Sequence, residues 1–241
     1  MTAVFTIAAD RRFADALAIG VLAEHRRDPL ALADLLILVP TRRSVRALRD
    51  AFLRACGGKP TILPRLAPLG DVDDGEWDAV VGEEDALGLP PAVAPAEREA
   101  LLAQLVGAFA DDRGQPIAQS PAQALRLARE LGGLLDELAI ENVAFDRLES
   151  LVEGNFASHW QRTVRFLAIV GEAWPKILTE RGQIDAIDRR TRAIRARAAR
   201  WRGRPPATPV IAAGSTGSQP ATRELLAVIA DLPHGRIVVP G

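Results

Sequence analysis

The sequence predicts an α/β protein whose parallel sheet is interrupted by a block of helices. Near the N-terminus, short apolar runs alternate with stretches of helical periodicity, the order typical of a parallel sheet with covering helices. From Pro95 to about Arg202 the apolar spacing is helical throughout. After Pro209 an apolar run, a glycine-rich turn and a helical pattern follow. This return predicts a discontinuous α/β domain with an all-helical insertion.

The first part of the α/β domain contains three predicted strands and two predicted helices. "VFTIA" (Val4–Ala8) is typical of a buried strand, and Phe13–His25 has the spacing of a helix. The second strand, Leu35–Pro40, precedes an amphipathic helix that ends before Gly57-Gly58, because glycine commonly follows the last helical residue. A short third strand lies within "TILPRLAPLG". This βαβαβ order indicates parallel pairing.

Helix-start signals mark the helical block. Pro95 and Pro121 occupy favourable first helical positions, and Ser120 with Gln123 forms a capping-box pattern. A long helix is predicted over 157–182, with an interruption at Pro175. The arginine-rich helix that follows has arginines around an apolar stripe, formed by Ile187, Thr191, Ile194, Ala198 and Trp201.

An acidic segment separates the two parts of the chain. Asp71–Pro91 contains eight carboxylates and no basic residue, which predicts an exposed, mobile loop. We therefore assign 1–74 and 205–241 to the α/β domain, 75–94 to an acidic linker and 95–204 to the helical insertion. Because the chain stops directly after an apolar strand, Ile237–Val239, we expect it to be the N-terminal part of a longer protein.

Composition limits the class of protein. Of 241 residues, 48% are hydrophobic, so a globular fold is expected. The single cysteine, Cys56, excludes a disulfide framework and a cysteine-rich metal site, and favours a reducing, cytoplasmic setting. No apolar run approaches the roughly twenty residues of a membrane span. Only Lys59 and Lys176 are lysines among the 30 basic residues. A GC-rich genome is the first explanation for this excess of arginine, so the excess by itself is poor evidence for phosphate binding.

The sequence predicts neither a catalytic residue nor a metal site. A phosphate loop needs glycines and a lysine, whereas the segment after the first strand, Ala9–Arg12, has neither, and Gly214–Ser218 lacks the lysine. The acidic cluster lacks the spacing of a calcium loop, and the three histidines are scattered. "GSTGS" is not a nucleophile elbow, since its third residue is Thr216.

"VPTRRS" (Val39–Ser44) is a candidate for binding an anion. Thr41 is predicted to cap the following helix, whose N-terminus attracts anions through its free N–H groups and its dipole. Arg42 and Arg43 could neutralise a backbone phosphate there. The alternative is a capped helix with two solvated arginines, and the residues alone leave both interpretations open.

Four segments, in order, resemble the N-terminal region of the AddB family, of which the alphaproteobacterial type is the most similar. AddB proteins are the partner subunits of the bacterial AddAB helicase–nucleases, which process double-strand DNA breaks. The segments cover nearly the whole chain: "LILVPTRRSVRALRDAFLR", "LPRLAPLGDVD", "HWQRTVRFLAIVGEAWPKILTERGQID" and "VIAAGSTGSQPATRELLAVIADLPHGRIVVPG". The ordered set carries the resemblance, since no single segment is a strong motif.

The resemblance implies a RecA-like parallel sheet from a degenerate superfamily 1 helicase core. Val4–Arg12 would occupy the phosphate-loop position, and Val39–Ser44 a motif that contacts single-stranded DNA. Ala213-Gly214 would stand at or near the magnesium-holding Asp-Glu pair, and Arg236–Gly241 would be the sensor strand. Phosphoryl transfer needs the lysine and the metal that these positions lack, so no ATP hydrolysis by this chain is expected.

The resemblance also implies partners and a DNA-binding surface. Single-stranded DNA and an AddA-type helicase–nuclease subunit would be the partners, in the cytoplasm and away from membranes. The family's nuclease domain and iron–sulfur cluster lie far downstream, so no cofactor is expected in this chain. The implied DNA-binding residues are Thr41, Arg42, Arg43, Arg65, Ser215, Thr216, Gly217 and Ser218.

Two other functions stay open at this point. One is an active nucleotide-dependent enzyme that uses Gly214–Ser218 as an atypical phosphate loop. The other is a purely structural scaffold whose exposed faces contact only protein.

Overall fold

The computed structural model describes residues 4–69, 88–110, 114–145, 147 and 158–241. The chain forms two compact units, an α/β unit of 1–88 with 192–241 and a helical unit of 89–191. The second boundary therefore falls after Thr191, whereas the sequence places it after Arg204. The predicted acidic loop around Trp77 lies outside the described residues.

The α/β unit is built on a five-stranded parallel sheet, which confirms the predicted α/β class with parallel pairing. Each neighbouring pair of strands runs parallel, and the order across the sheet is β1-β5-β4-β2-β3. The strands are β1 (Val4–Ile7), β2 (Leu36–Val39), β3 (Arg65–Pro68), β4 (Val210–Ala213) and β5 (Gly235–Pro240).

The described helices follow in chain order, and a short 3-10 helix at Pro29–Asp34 precedes β2. They are α1 (Phe13–Glu24), α2 (Arg42–Ala55), α3 (Pro95–Ala108), α4 (Pro121–Glu141), α5 (Ser158–Glu180), α6 (Ala186–Gly203) and α7 (Pro220–Asp231).

Helices α1 and α2 cover one face of the sheet. Right-handed crossovers from β1 to β2 and from β2 to β3 both move in the same direction, so their helices lie on the same side. The crossover from β4 to β5 moves the opposite way, which places α7 on the other face. The α1–α2 face has a core that includes Leu17, Val21, Ile37, Val39, Leu48, Phe52, Ile211, Ala213 and Val238.

Strand β1 differs from its prediction as a buried strand. It lies at one edge of the sheet, and its apolar side chains Val4 and Phe5 are 54% and 51% exposed. The reason is the position of α1, whose Glu24 pairs with Arg236 of β5 at 2.5 Å. This helix is anchored over β5, so it leaves Phe5 partly uncovered, although Ile7 on the same face packs against the core. Val4 points to the opposite face of this edge strand.

The helical unit has a core of its own, centred on α3, α4 and α5. Ser120 accepts a hydrogen bond from the Gln123 N–H at 3.2 Å, and Gln123 Oε1 accepts one from the Gln119 N–H at 2.9 Å, which is close to the predicted capping box. The interruption predicted at Pro175 is wrong, because α5 continues through this residue to Glu180. Trp174 is buried, as its helical spacing predicts.

Helix α6 has the predicted apolar stripe, but one of the arginines predicted to lie around that stripe is buried. Ile194, Ala198 and Trp201 are buried, and Thr191 is almost fully covered. Arg197, however, is only 1% exposed, although the sequence places every arginine of this helix around the stripe. The aliphatic part of an arginine packs like an apolar side chain, and the amphipathic pattern cannot reveal this.

Candidate nucleic-acid interface

The carboxyl ends of β2 and β4 are neighbours and form the topological switch point of the sheet. Leu38 pairs with Ala212, so the residues that follow the two strands leave the sheet side by side. The chain leaving β2 turns toward β3, whereas the chain leaving β4 turns the other way, toward β5. In open parallel sheets, ligands bind in the crevice that such a divergence opens.

Thr41 and its arginines border this crevice on the β2 side. Thr41 has an extended backbone and caps α2, since its Oγ1 accepts a hydrogen bond from the Ser44 N–H at 3.1 Å. Arg42 and Arg43 form the exposed first turn of the helix. The predicted cap is therefore confirmed, and two cations lie at a helix N-terminus beside the crevice.

The glycine turn borders the crevice on the β4 side. Gly214 has a φ of +78°, and its N–H donates to the Val238 carbonyl at 2.8 Å. A Cβ built on Gly214 would lie 3.3 Å from Phe13 Cε1 and 3.7 Å from Pro40 Cδ. The turn thus lies against both the start of α1 and the end of β2, and a Cβ there would be in tight contact with the Phe13 ring.

Arg223 of α7 holds the far half of the turn, a role that its sequence context did not predict. Its Nε donates to the Gly217 carbonyl and its Nη2 to the Ser218 carbonyl, both at 3.2 Å. Within the turn, the Gly217 N–H donates to Ser215 Oγ at 3.4 Å. The available signal was an arginine five or six residues after a glycine turn, which is too common to single out.

Arg65 lies away from the other predicted DNA-binding residues. It is the first residue of β3 and pairs with Leu36, so it lies at the amino edge of the sheet, opposite the crevice. Its Nη2 donates to the Asp34 carbonyl at 3.1 Å and to Thr208 Oγ1 at 3.2 Å. The sheet direction therefore separates Arg65 from Thr41, and we leave it out of the interface.

The crevice lacks the groups that hold a nucleotide triphosphate and its metal. The segment between β1 and α1 is a tight turn, in which the Arg11 N–H donates to the Ala8 carbonyl at 3.0 Å. No lysine lies between β1 and α1, and no carboxylate lies between β4 and Glu224. Among the described residues, no group of three or more His, Cys, Asp or Glu side chains could hold a metal ion.

Perturbed pKa values are found at two other places in the molecule. A hydrogen bond from Arg236, followed by its charge, lowers the pKa of Glu24. In the helical unit, burial raises the pKa of Asp136, and the nearby carboxylate of Asp185 adds to this effect. Both sites tie elements of the fold together and lie outside the crevice. The groups that border the crevice are therefore cations, hydroxyls and backbone groups.

A separate groove of about 690 Å³ lies in the helical unit. Its walls are mainly apolar, with Leu131, Leu134 and Phe166 among them, and its rim carries the amides of Gln115 and Gln119. Glu130 is the one titratable side chain in its described lining. Such a lining offers no pair of groups for acid–base chemistry.

A comparison with models of known protein families finds no match to this chain, and a comparison with curated protein sequences also finds none. The fold and the crevice therefore have to carry any functional conclusion. None of the described helices combines the length and the apolar character needed to cross a bilayer.

Proposed function

We propose that this chain is a single-strand DNA-binding segment with a RecA-like sheet that does not hydrolyse ATP. More particularly, it would be the N-terminal, inactivated helicase segment of an AddB-type subunit of a double-strand break repair helicase–nuclease. One observation carries the proposal: the Thr41-capped start of α2 and the glycine turn meet at the switch point of a parallel sheet.

The chemistry of the crevice suits a nucleic-acid backbone. Arg42 and Arg43 supply positive charge at a helix N-terminus, and Thr216 and Ser218 are exposed residues of the turn that follows the neighbouring strand β4. Protein contacts to DNA are dominated by arginines, hydroxyls, backbone N–H groups and helix N-termini that bind phosphate oxygens. These contacts hold the strand without reading its sequence.

The arrangement also supports a helicase ancestry. In the implied helicase core, the loop after β1 would hold phosphates and the end of β4 would hold magnesium. These two segments lie in contact here, because a Cβ built on Gly214 would be 3.3 Å from Cε1 of Phe13, the first residue of α1. The positions are adjacent, as a shared nucleotide would require, while the lysine is missing after β1 and the metal-holding carboxylates are missing after β4.

The turn itself argues against use as an atypical phosphate loop. Phosphate loops direct successive backbone N–H groups at the bound anion. Here the N–H groups of both glycines are already donated, one to Val238 and the other to Ser215. We therefore expect no saturable ATP binding in the presence of magnesium, by isothermal titration calorimetry. Saturable binding at micromolar nucleotide would overturn this part of the proposal.

Fluorescence anisotropy with a labelled oligo-dT, at about 50 mM and about 200 mM salt, tests the DNA interface. Arg42→Ala with Arg43→Ala should weaken binding and reduce the salt slope by about 1.4, at about 0.7 per phosphate contact on a single strand. Thr41 is kept in this variant so that the helix cap remains.

The matched control is Arg26→Ala with Arg27→Ala. These adjacent, exposed arginines follow the end of α1, at the amino edge of the sheet and on the same unit. The control removes the same charge but should leave the affinity within about twofold. Equal losses in both double variants would show diffuse charge attraction. A wild-type chain that binds no oligonucleotide would favour the structural scaffold.

A further inference from the structure

We propose that Arg223 is a positioning residue that holds the glycine turn in its DNA-binding form. This inference rests on the proposed function and deepens it. It states that a side chain on the next helix keeps the turn ordered. Binding would then need no ligand-induced ordering of residues 214–218.

The first support is the geometry of the guanidinium. Nε and Nη2 of Arg223 donate to two successive carbonyl oxygens, those of Gly217 and Ser218, at 3.2 Å each. A guanidinium is planar with fixed donor directions, so two such bonds fix the turn more strongly than one bond from an ammonium group. The turn is thereby tied to the first turn of α7.

The second support is electrostatic. A carbonyl oxygen that faced the crevice would repel a phosphate, whereas a carbonyl bound by a guanidinium has its negative end neutralised and turned toward α7. Arg223 does this for the carbonyls of Gly217 and Ser218, in the same turn as the exposed residues Thr216 and Ser218. These two carbonyls are therefore held away from a bound phosphate.

The third support is steric. Gly217 is buried, has a φ of +68°, and would place a Cβ 3.4 Å from Arg223 Cα and 3.2 Å from Leu226 Cδ1. The turn therefore rests directly on the helix that supplies the clamp. Arg223 itself is exposed, so its replacement removes the two hydrogen bonds without opening a cavity in the core.

Two variants separate the geometry of the clamp from its charge. Arg223→Met removes both, and Arg223→Lys keeps the charge but cannot make the paired donation. We expect both to weaken oligo-dT binding about three- to tenfold through the cost of ordering the turn, with an unchanged salt slope. Amide hydrogen exchange of peptides covering 214–219 should accelerate in both, with the urea midpoint of unfolding unchanged.

The control is Arg195→Met, which removes an arginine that pairs with Glu224, the next residue of α7, at 3.3 Å. It should leave exchange of the turn unaltered. Wild-type affinity in Arg223→Lys, or a salt slope reduced by about 0.7 in Arg223→Met, would mean that Arg223 contacts phosphate directly and would overturn the proposal. Unchanged exchange would also overturn it. If the wild-type chain binds no DNA, the proposed function fails, while hydrogen exchange still reports on the clamp.

Discussion

Residue by residue, the crevice depends on two glycines that have different neighbours. Gly214 faces the start of α1 and the end of β2, whereas Gly217 faces α7. Both have positive φ, a conformation that costs other residues about 1–2 kcal/mol. Glycine at these two positions therefore relieves both the backbone strain and the tight contacts with three neighbouring elements.

Gly217→Ala should destabilise the α/β unit by at least about 1 kcal/mol, since it adds backbone strain and a close contact with Leu226. Gly20→Ala is the matched control, because Gly20 lies in the exposed middle of α1 with open space around it. That change should stabilise the unit by about 0.5–1 kcal/mol through helix propensity. Urea unfolding measures both, and destabilisation of the same size in the two variants would contradict this account.

The Glu24–Arg236 pair should make the α/β unit sensitive to acid. The pKa of Glu24 is lowered in the folded state, so its contribution is present above the unfolded pKa and is lost as pH falls through the folded pKa. Because the pair is half-exposed, its full value is about 0.5–1 kcal/mol. Glu24→Gln should therefore lower stability at neutral pH and flatten the loss below pH about 4.5, in urea titrations at several pH values.

Asp136 has a pKa shift in the opposite direction to that of Glu24 and serves as the comparison. Burial raises its folded pKa, so its contribution is present below the unfolded pKa and is lost as pH rises through the folded pKa. Asp136→Asn should remove a gain in stability on acidification and leave the loss at Glu24 intact. The same trend in both variants would contradict the assigned causes.

Among the elements, β1 shows most clearly how sheet geometry sets the role of each residue. The Ile7 carbonyl accepts the Gly241 N–H at 2.8 Å, so the backbone of Ile7 faces β5. Backbone groups alternate in direction along a strand, so Phe5 also faces β5, whereas Val4 and Thr6 face the open edge. This edge carries no charged side chain within Val4–Ile7.

A pair of proline substitutions tests this alternation. Phe5→Pro removes an N–H that the β1–β5 ladder uses and should destabilise the α/β unit by about 1–3 kcal/mol. Thr6→Pro removes only an outward N–H, which proline tolerates on an edge strand, and should cost clearly less. Thermal unfolding of the two variants gives the comparison. Equal losses would mean that the direction of the strand is misassigned.

At the scale of the whole molecule, each unit is held by its own network. In the helical unit, Arg98 of α3 donates to Asp185 at 2.9 Å and to Asp136 and the Gly132 carbonyl of α4 at 2.8 and 3.2 Å. Trp174 of α5 donates to the same Asp185 oxygen at 3.2 Å. One guanidinium thus links α3, α4 and the segment before α6, with α5 joined through a shared carboxylate.

Arg98→Met should destabilise the helical unit by about 3 kcal/mol, because it leaves the largely covered carboxylate of Asp185, 13% exposed, without its cation. Arg129→Met is the matched control, since Arg129 of α4 pairs with Glu99 of α3 at 2.8 Å on the surface. That pair should be worth less than about 1 kcal/mol. Unfolding followed by tryptophan fluorescence measures both losses, and similar values would contradict a central role for Arg98.

Most of the local structure could be predicted because its signals are local. The cap at Thr41, the first helical prolines Pro95 and Pro121 and the strand at Val210–Ala213 each depend on a few neighbouring residues. The errors have a shared origin in packing. β1 is apolar but uncovered, and Arg197 is charged but buried, because neighbours distant in sequence decide exposure.

By itself, the sequence determined the α/β class, the helix starts and the absence of the lysine and carboxylates that phosphoryl transfer needs. Only the tertiary structure decided the strand order. This order places Thr41 beside a turn some 170 residues later in the chain and places Arg65 at the amino edge of the sheet, opposite the crevice. It also decided that Arg223 clamps the turn. The physical reason is that periodicity and capping act over a few residues, whereas strand neighbours are selected by the packing of whole faces.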